Sequence, residues 1–132
     1  PKITIKEQTE DIVRAIKWTY KNASNYNADN HKFVLVGLSS GAYEVALIST
    51  NESYLKKEGL SFDILKGTIA LDVHMYDIPL ALNLMHHTSL EQQIPFYKYL
   101  FGSSQKSQAQ LSPINYVQND KIKPFLIISA GL

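Results

Sequence analysis

The sequence predicts an α/β fold built on a mainly parallel, doubly wound sheet with flanking helices. Three short runs of apolar residues, many of them β-branched, occur at 33–36, 66–71 and 125–129 and are the candidate strands. Each pair of runs is separated by a segment long enough to contain at least one helix. Strands that alternate with helices favour parallel pairing, because a parallel connection must cross back over the sheet.

Length and composition are typical of one compact domain or part of one. The 132 residues are 45% hydrophobic and 19% charged, unlike a disordered chain. A net charge of +1 and the lack of a basic stripe argue against nucleic-acid binding. No run approaches the roughly 20 apolar residues of a membrane span, and residues 1–6 lack the apolar core of a signal peptide. We therefore expect no membrane span. The sequence does not fix the compartment, and the cytoplasm is slightly favoured.

A helix is predicted before the first strand. Thr9 is a candidate N-cap and precedes two acidic residues, which a helix N-terminus favours. Apolar residues then recur at helical spacing, and the helix should run to about Asn22. Trp18 is expected to pack against the sheet. The residues at 22–30 are rich in Asn, Ser and Asp and predict a loop.

The most informative stretch follows this loop. The run at 33–36 suits a parallel strand covered on both faces, and it leads directly into Gly-Leu-Ser-Ser-Gly and a helix that is apolar on most sides. In a turn this tight, side chains at the flanking positions would collide. We therefore expect glycine to be required at Gly37 and Gly41. Ser39 should adopt a strained conformation with its hydroxyl above the sheet. This is the G-x-S-x-G nucleophile elbow, and Ser39 is the candidate nucleophile.

Several short helices are predicted between this stretch and the last strand. The expected helices cover 78–87 and 96–101, with one further helical turn at 111–114, and the only compositionally biased segment is the polar tract at 103–110. Their expected ends rest on cap residues, prolines of the first turn and terminal glycines. These residues are Gly59, Pro79, Ser89, Pro95, Gly102, Ser112 and Pro113.

Most of the chain resembles α/β-hydrolase-fold carboxylesterases, close to the hormone-sensitive-lipase and formamidase-like branches. The segments DIVRAIKW at 11–18 and FVLVGLSSG at 33–41 are similar to the region around the nucleophile of that family. The segments at 71–72, 76–79, 101–102 and 111–114 are similar to the connection after its sixth strand, and 123–128 to its seventh strand. The resemblance implies that residues 1–132 are the central part of a single α/β-hydrolase domain.

The resemblance also implies which parts lie elsewhere. An HGGG-type loop that completes the oxyanion hole would precede this segment, and the acid and histidine of the triad would follow the seventh and eighth strands. Within the chain, the backbone N–H of Ser40 would supply one oxyanion donor. We expect the 132 residues alone to be inactive, and poorly stable unless missing segments of the same parent chain cover the sheet edges.

The four histidines are the internal candidates for a catalytic base. His74 follows the second strand at the end of the sheet where a site belongs, and it is the alternative base. His31 precedes the first strand, at the far end from the elbow. His86 and His87 are expected to be solvated residues at a helix C-terminus.

The acidic candidates have two interpretations. Asp72 ends the second strand and is the alternative triad acid, whereas the favoured role of Asp72 and Asp77 is to hydrogen-bond loop backbone. A metal site at His86, His87 and Glu91 lacks a further correctly spaced ligand, so no metal or cofactor is expected.

The expected activity of the full-length parent is cleavage of small-molecule carboxylic esters through an acyl-enzyme on Ser39. A formamidase-type amide hydrolase using the same nucleophile and a non-catalytic α/β-hydrolase-like binding module are the alternatives, and homo-oligomerisation is left open. The segment between the second and third strands, residues 72–124, is called the long excursion below. Four of its aromatic residues could line an acyl pocket, although packing is the favoured role for Tyr76, Phe96, Tyr97 and Tyr99.

Overall fold

Three parallel strands form the centre of the structure, which is a computed structural model describing residues 3–71, 75–118 and 120–129. The strands are β1 (Phe33–Leu38), β2 (Leu65–Leu71) and β3 (Phe125–Ile128), and they lie in the order β1-β2-β3. Both pairs are parallel, so the predicted strands and fold class are confirmed. Strand β1 runs two residues further than expected, because its last two residues pair with the end of β2.

Helices connect and cover these strands. The described α-helices are α1 (Ile5–Asn22), α2 (Ser40–Thr50), α3 (Ser53–Lys57), α4 (Ile78–Met85), α5 (Ile94–Phe101) and α6 (Gln105–Gln110). Short 3₁₀ turns occur at Ala23–Tyr26, Phe62–Ile64, Glu91–Gln93 and Pro113–Tyr116. The central layer above the sheet is α2, which contacts both β1 and β2.

The start of α1 differs from the sequence prediction, whereas its end at Asn22 is confirmed. The N-cap is Thr4, whose backbone N–H donates to the Glu7 carboxylate at 2.7 Å in a reciprocal capping box. Thr9 is fully buried inside the helix, and its hydroxyl donates to the carbonyl of Ile5 at 2.8 Å. The predicted cap was one helical turn too late, because the apolar face of α1 extends back to Ile5.

The expected packing of Trp18 is wrong. The side chain is 57% exposed, and its ring lies 6.4 Å from that of Tyr26 on the surface. The helix turns its buried face, which carries Val13 and Ile16, toward the core instead. A single aromatic residue on a helix does not by itself reveal which face is buried.

Two local predictions in the long excursion also need correction, and one short helix there was not predicted. The helix cap predicted at Ser89 is wrong, because the 3₁₀ turn that follows begins at Glu91, and its N-cap residue is Leu90, which makes no side-chain capping bond. Ser112 makes no capping bond either; its hydroxyl accepts from the N–H of Ile78 at 3.0 Å and donates to the carbonyl of Gln108 at 2.8 Å. The polar tract at 103–110 contains α6, which Ser104 caps through its side chain.

Other predicted helix boundaries in the long excursion lie within two residues of the observed ones. Helix α4 ends two residues early, at Met85, since His86 is extended and His87 has a positive φ of 64°. Helix α5 begins two residues before the predicted start, with a proline in its first turn, and stops at Gly102, whose φ is 84°.

The two faces of the sheet differ. Leu35, Thr68 and Ala70 are buried beneath α2, and the Thr68 hydroxyl donates to that of Ser49 in this helix at 2.6 Å. The alternate residues of β1 point to the opposite face and are exposed. Within the described residues, the expectation of a strand covered on both faces is therefore not met.

Candidate active site

Ser39 lies at the turn between β1 and α2, at the carboxyl edge of the sheet. Its backbone has φ 54° and ψ −120°, a region that residues with a side chain seldom occupy. Its N–H donates to the carbonyl of Leu71 at 2.9 Å, which ties the turn to the end of the neighbouring strand. The residue is exposed, and its side chain makes no capping bond to α2. The predicted strain is confirmed.

The turn is tight enough to require glycine at Gly37. A Cβ atom added there would lie 2.2 Å from the carbonyl oxygen of Gly41 and 2.6 Å from the backbone nitrogen of Ala42. Both are backbone atoms, which no side-chain rotation can move away. At Gly41 a Cβ would meet nothing within 4 Å, so the collision predicted for that position is not present among the described residues.

Ser40 is the first residue of α2, as predicted. The first N–H groups of a helix have no intrahelical partner, and the helix dipole adds a partial positive charge there. The carbonyl of Ser39 accepts from the N–H groups of Ala42 at 3.0 Å and Tyr43 at 3.2 Å, so the helix begins directly at the turn. An exposed hydroxyl and a helix N-terminus are thus adjacent in the chain.

Buried contacts hold α2 behind the turn. The Tyr43 hydroxyl donates to the carbonyl of Leu111 at 2.7 Å, and its ring packs edge-on against Phe101 at 5.3 Å. Burial raises the pKa of Tyr43, so the phenol stays protonated as a donor. With the contact between Ser49 and Thr68, these bonds attach the helix to the sheet on one side and to the long excursion on the other.

Sequence reasoning missed a buried carboxyl group close to the turn. Glu44 is 6% exposed, and its Oε1 has no hydrogen-bond partner among the described residues. Burial raises the pKa of Glu44 from 4.5 to about 6. One acidic residue in an otherwise apolar helix was the available signal, because such a helix is buried on most of its sides.

Only some of the predicted acids and bases lie within the described residues. Asp72 and His74 lie outside the described residues. Asp77 has the loop role allowed for it, because its carboxylate accepts from the N–H of Leu80 at 3.1 Å and caps α4.

The three described histidines lie on the surface. His31 precedes β1 and packs against Tyr20, with ring centroids 5.7 Å apart. Six residues of strand, about 20 Å, separate that end of β1 from the turn. His86 is exposed as expected, and its Nδ1 lies 3.1 Å from a Glu91 carboxylate oxygen. That contact is the largest cause of the lowered pKa of Glu91.

The aromatic residues of the excursion divide between packing and surface. Tyr97 stacks on Phe101 with centroids 6.2 Å apart, which confirms a packing role, while Phe96 is mostly exposed. Tyr76 borders an apolar cavity of about 450 Å³ between α2 and β3, lined also by Ala46 and Phe125.

The described residues hold neither a candidate metal centre nor a membrane-spanning helix. Residues 3–71, 75–118 and 120–129 contain no group of three His, Cys, Asp or Glu side chains that could hold a metal ion. No helix within these ranges is long and apolar enough to cross a membrane.

A parallel sheet, a strained serine at the end of a central strand and a buried helix that starts beside it define an α/β-hydrolase-like chain. The chain belongs to the BD-FAE family, whose family model matches residues 2–131. The suspected resemblance to the α/β-hydrolase fold is thereby confirmed.

Two curated relatives are similar to the chain. Esterase LipQ of Mycobacterium tuberculosis is 29% identical over 135 residues, which cover 97% of this chain and 31% of that protein. Endo-1,4-beta-xylanase B of Butyrivibrio fibrisolvens is 32% identical over 62 residues, which cover 47% of this chain and 10% of that protein. The chain therefore spans less than a third of either relative. No solved structure matches it significantly.

Proposed function

We propose that this chain carries the nucleophile of a serine hydrolase that cleaves carboxylic esters. The observation that supports this most is the conformation of Ser39, which is strained, exposed and directly followed by the N-terminus of a buried helix. Strain of this kind persists only where the surrounding structure enforces it, and it concentrates at functional sites. The similarity to esterase LipQ supports the ester as substrate class.

The proposed reaction proceeds through an acyl-enzyme. The Ser39 Oγ attacks the ester carbonyl carbon, and a base takes the hydroxyl proton. The backbone N–H of Ser40 donates to the oxyanion that forms, at the positive end of the α2 dipole. The bond from carbon to the alcohol oxygen then breaks, and the alcohol leaves with the proton. Water attacks the acyl-enzyme, which releases the carboxylic acid and restores the Ser39 hydroxyl.

The base and acid of this reaction are assigned by chain order. The order Ser, Asp or Glu, His of α/β-hydrolases puts both after β3, outside residues 1–132. The alternative pair is Asp72 and His74, which follow β2. Reading the polypeptide that follows Leu132 for an acid and a histidine in the expected loops distinguishes the two assignments. If that polypeptide has no such acid and histidine, Asp72 and His74 are the remaining pair, and absence of Ser39-dependent turnover would then assign a non-catalytic binding module.

Covalent labelling tests the nucleophile. A fluorophosphonate reacts only with an activated serine, and we expect its adduct on Ser39 when the natural polypeptide is digested and mapped. The control is Ser40→Ala, which keeps the backbone N–H and should still be labelled at Ser39. Labelling that is absent, or that persists in Ser39→Ala, contradicts the proposal.

Turnover of two substrates tests whether the enzyme cleaves an ester bond or an amide bond. A short acyl ester and an N-formyl aromatic amine present the same kind of carbonyl with different leaving groups. We expect a higher kcat/KM for the ester, whereas preference for the amide would assign a formamidase-type activity to the same serine.

A further inference from the structure

Two exposed aromatic side chains lie next to each other where α1 ends. Trp18 is 57% exposed and Tyr26 is 70% exposed, and their ring centroids lie 6.4 Å apart with the ring planes tilted by 46°. Single exposed apolar residues are ordinary, whereas adjacent large ones mark contact surfaces. We call Trp18, Tyr26 and the loop at 22–30 the aromatic platform.

The platform lies on the side of α1 that is turned away from the core. Val13 and Ile16 are buried on one side of this helix. At about 3.6 residues per turn, Trp18 projects roughly opposite the midpoint between them. Packing of α1 on the core therefore leaves the platform open, and does not explain why two aromatic side chains are placed there.

The backbone holds the two rings in place. Tyr26 ends a 3₁₀ turn that begins at the buried residue Ala23, whose carbonyl accepts from the N–H of Ala28 at 3.0 Å. The Nδ2 of Asn22 donates to the carbonyl of Trp18 at 2.7 Å, which ties the loop back to the helix. A surface that is ordered before a ligand arrives loses less conformational entropy on binding.

The loop of the platform is polar but almost uncharged. It has asparagine at positions 22, 25, 27 and 30. The side chains of Asn25 and Asn27 are exposed and make no hydrogen bond within the described residues. An amide side chain can both donate and accept. The one charged group of the loop, Asp29, is paired with Lys32 at 3.0 Å.

We propose that the aromatic platform binds a neutral saccharide chain. A sugar ring has a face of C–H groups and an edge of hydroxyl groups, so it stacks on an aromatic ring while its hydroxyls exchange hydrogen bonds with amides. Consecutive sugar units are rotated about the bonds that join them, and the tilt between Trp18 and Tyr26 suits two such units. Rigid aromatic side chains beside adaptable asparagines are typical of binding loops. A loop without a free positive charge does not favour nucleic acid.

The platform is separate from the candidate active site. Its loop leads into the first residue of β1, whereas Ser39 follows the last. The six residues of this strand span about 20 Å. The platform therefore holds the polypeptide on a polymer and takes no part in the chemistry at Ser39, so this proposal does not rest on the proposed function.

Affinity electrophoresis of the natural polypeptide tests this proposal. Native gels are cast with one of three soluble neutral polysaccharides, mixed-linkage β-glucan, galactomannan or arabinoxylan, and migration is compared with a gel that contains none. The test variants are Trp18→Ala and Tyr26→Ala, and Trp18→Tyr keeps an aromatic ring. The matched control is Phe96→Ala, because Phe96 is 58% exposed on α5 and has no such loop beside it.

We expect at least one polysaccharide to retard the natural polypeptide. Trp18→Ala and Tyr26→Ala should each lower the association constant at least about tenfold. Trp18→Tyr should stay within about threefold of the natural value, since a ring is kept. Phe96→Ala and Ser39→Ala should be retarded as strongly as the natural polypeptide.

Four results would overturn the proposal. The first is migration that none of the three polysaccharides changes. The second is retardation that survives in both Trp18→Ala and Tyr26→Ala, and the third is retardation that Phe96→Ala or Ser39→Ala abolishes. The fourth is a doubled mass in solution that Trp18→Ala reverses, which would assign the platform to a second copy of the chain. Two test positions keep the experiment decisive when one variant fails to fold.

Discussion

Replacing Gly37 by alanine tests whether the turn requires glycine because any Cβ atom would collide there, and not only because glycine is conformationally flexible. The added Cβ would lie 2.2 Å from the Gly41 carbonyl oxygen and 2.4 Å from its carbon, whereas ordinary contacts begin near 3.4 Å. More than 1 Å of overlap must be relieved by moving backbone. The backbone concerned is the first turn of α2, which is packed between the sheet and the excursion.

The expected cost follows from this geometry. Overpacking by a methyl group in a well-packed interior costs about 1–3 kcal/mol where side chains can yield, and a backbone collision belongs at or above the upper end of that range. We therefore expect Gly37→Ala to lower the free energy of unfolding by at least about 3 kcal/mol, more than 100-fold in the folding equilibrium. The matched control is Gly41→Ala, which meets open space and should gain about 0.5–1 kcal/mol as a helical residue.

Urea denaturation followed by circular dichroism measures both variants. Equal m-values for the variants and the natural polypeptide would show that the same amount of surface unfolds, so that differences in midpoint report stability. A Gly37→Ala variant within 0.5 kcal/mol of the natural protein would refute the steric reasoning. So would a Gly41→Ala variant that is destabilised as strongly as Gly37→Ala, because the described residues offer that methyl group no collision.

Three further substitutions have defined outcomes. Since burial raises the pKa of Glu44 from 4.5 to about 6, ionising it should cost about 2 kcal/mol of stability as pH rises from 4.5 through 6. Glu44→Gln should remove this loss, and an unchanged pH slope in urea titrations would contradict it. Tyr43→Phe breaks the bond to Leu111 and should cost about 1 kcal/mol of unfolding free energy, whereas an unchanged urea midpoint would show that the bond contributes nothing. Ser39→Gly relieves a strained φ of 54° and should gain about 1 kcal/mol while abolishing ester turnover. A thermal melt showing destabilisation would contradict that expectation.

The core and the candidate site were predictable from sequence where the signals are local. Residues 33–50 combine a β-branched run, two glycines and a nearly continuous apolar helix, and each of these acts on its immediate neighbours in the chain. The strained Ser39 and the requirement for Gly37 followed directly. Proline and glycine near the ends of α5 were similarly informative.

Predictions failed where several residues fit the same local pattern and contacts with distant parts of the chain decide which of them has the predicted role. Thr4 and Thr9 both precede acidic residues, and Thr4 is the cap because the buried face of α1 extends to Ile5. Ser112 has the sequence of a helix cap, yet its hydroxyl joins α4 to α6. The surface position of Trp18 likewise depends on which face of α1 meets the core.

By itself, the sequence determined the parallel α/β class, the turn that displays Ser39 and the helix that begins at Ser40, because short-range sterics and periodicity encode them. Only the tertiary structure decided that, among the described residues, the space beside Gly41 is open, the Glu44 carboxyl is buried and one face of the sheet is exposed. These properties depend on which segments pack together, and residues far apart in the chain decide that.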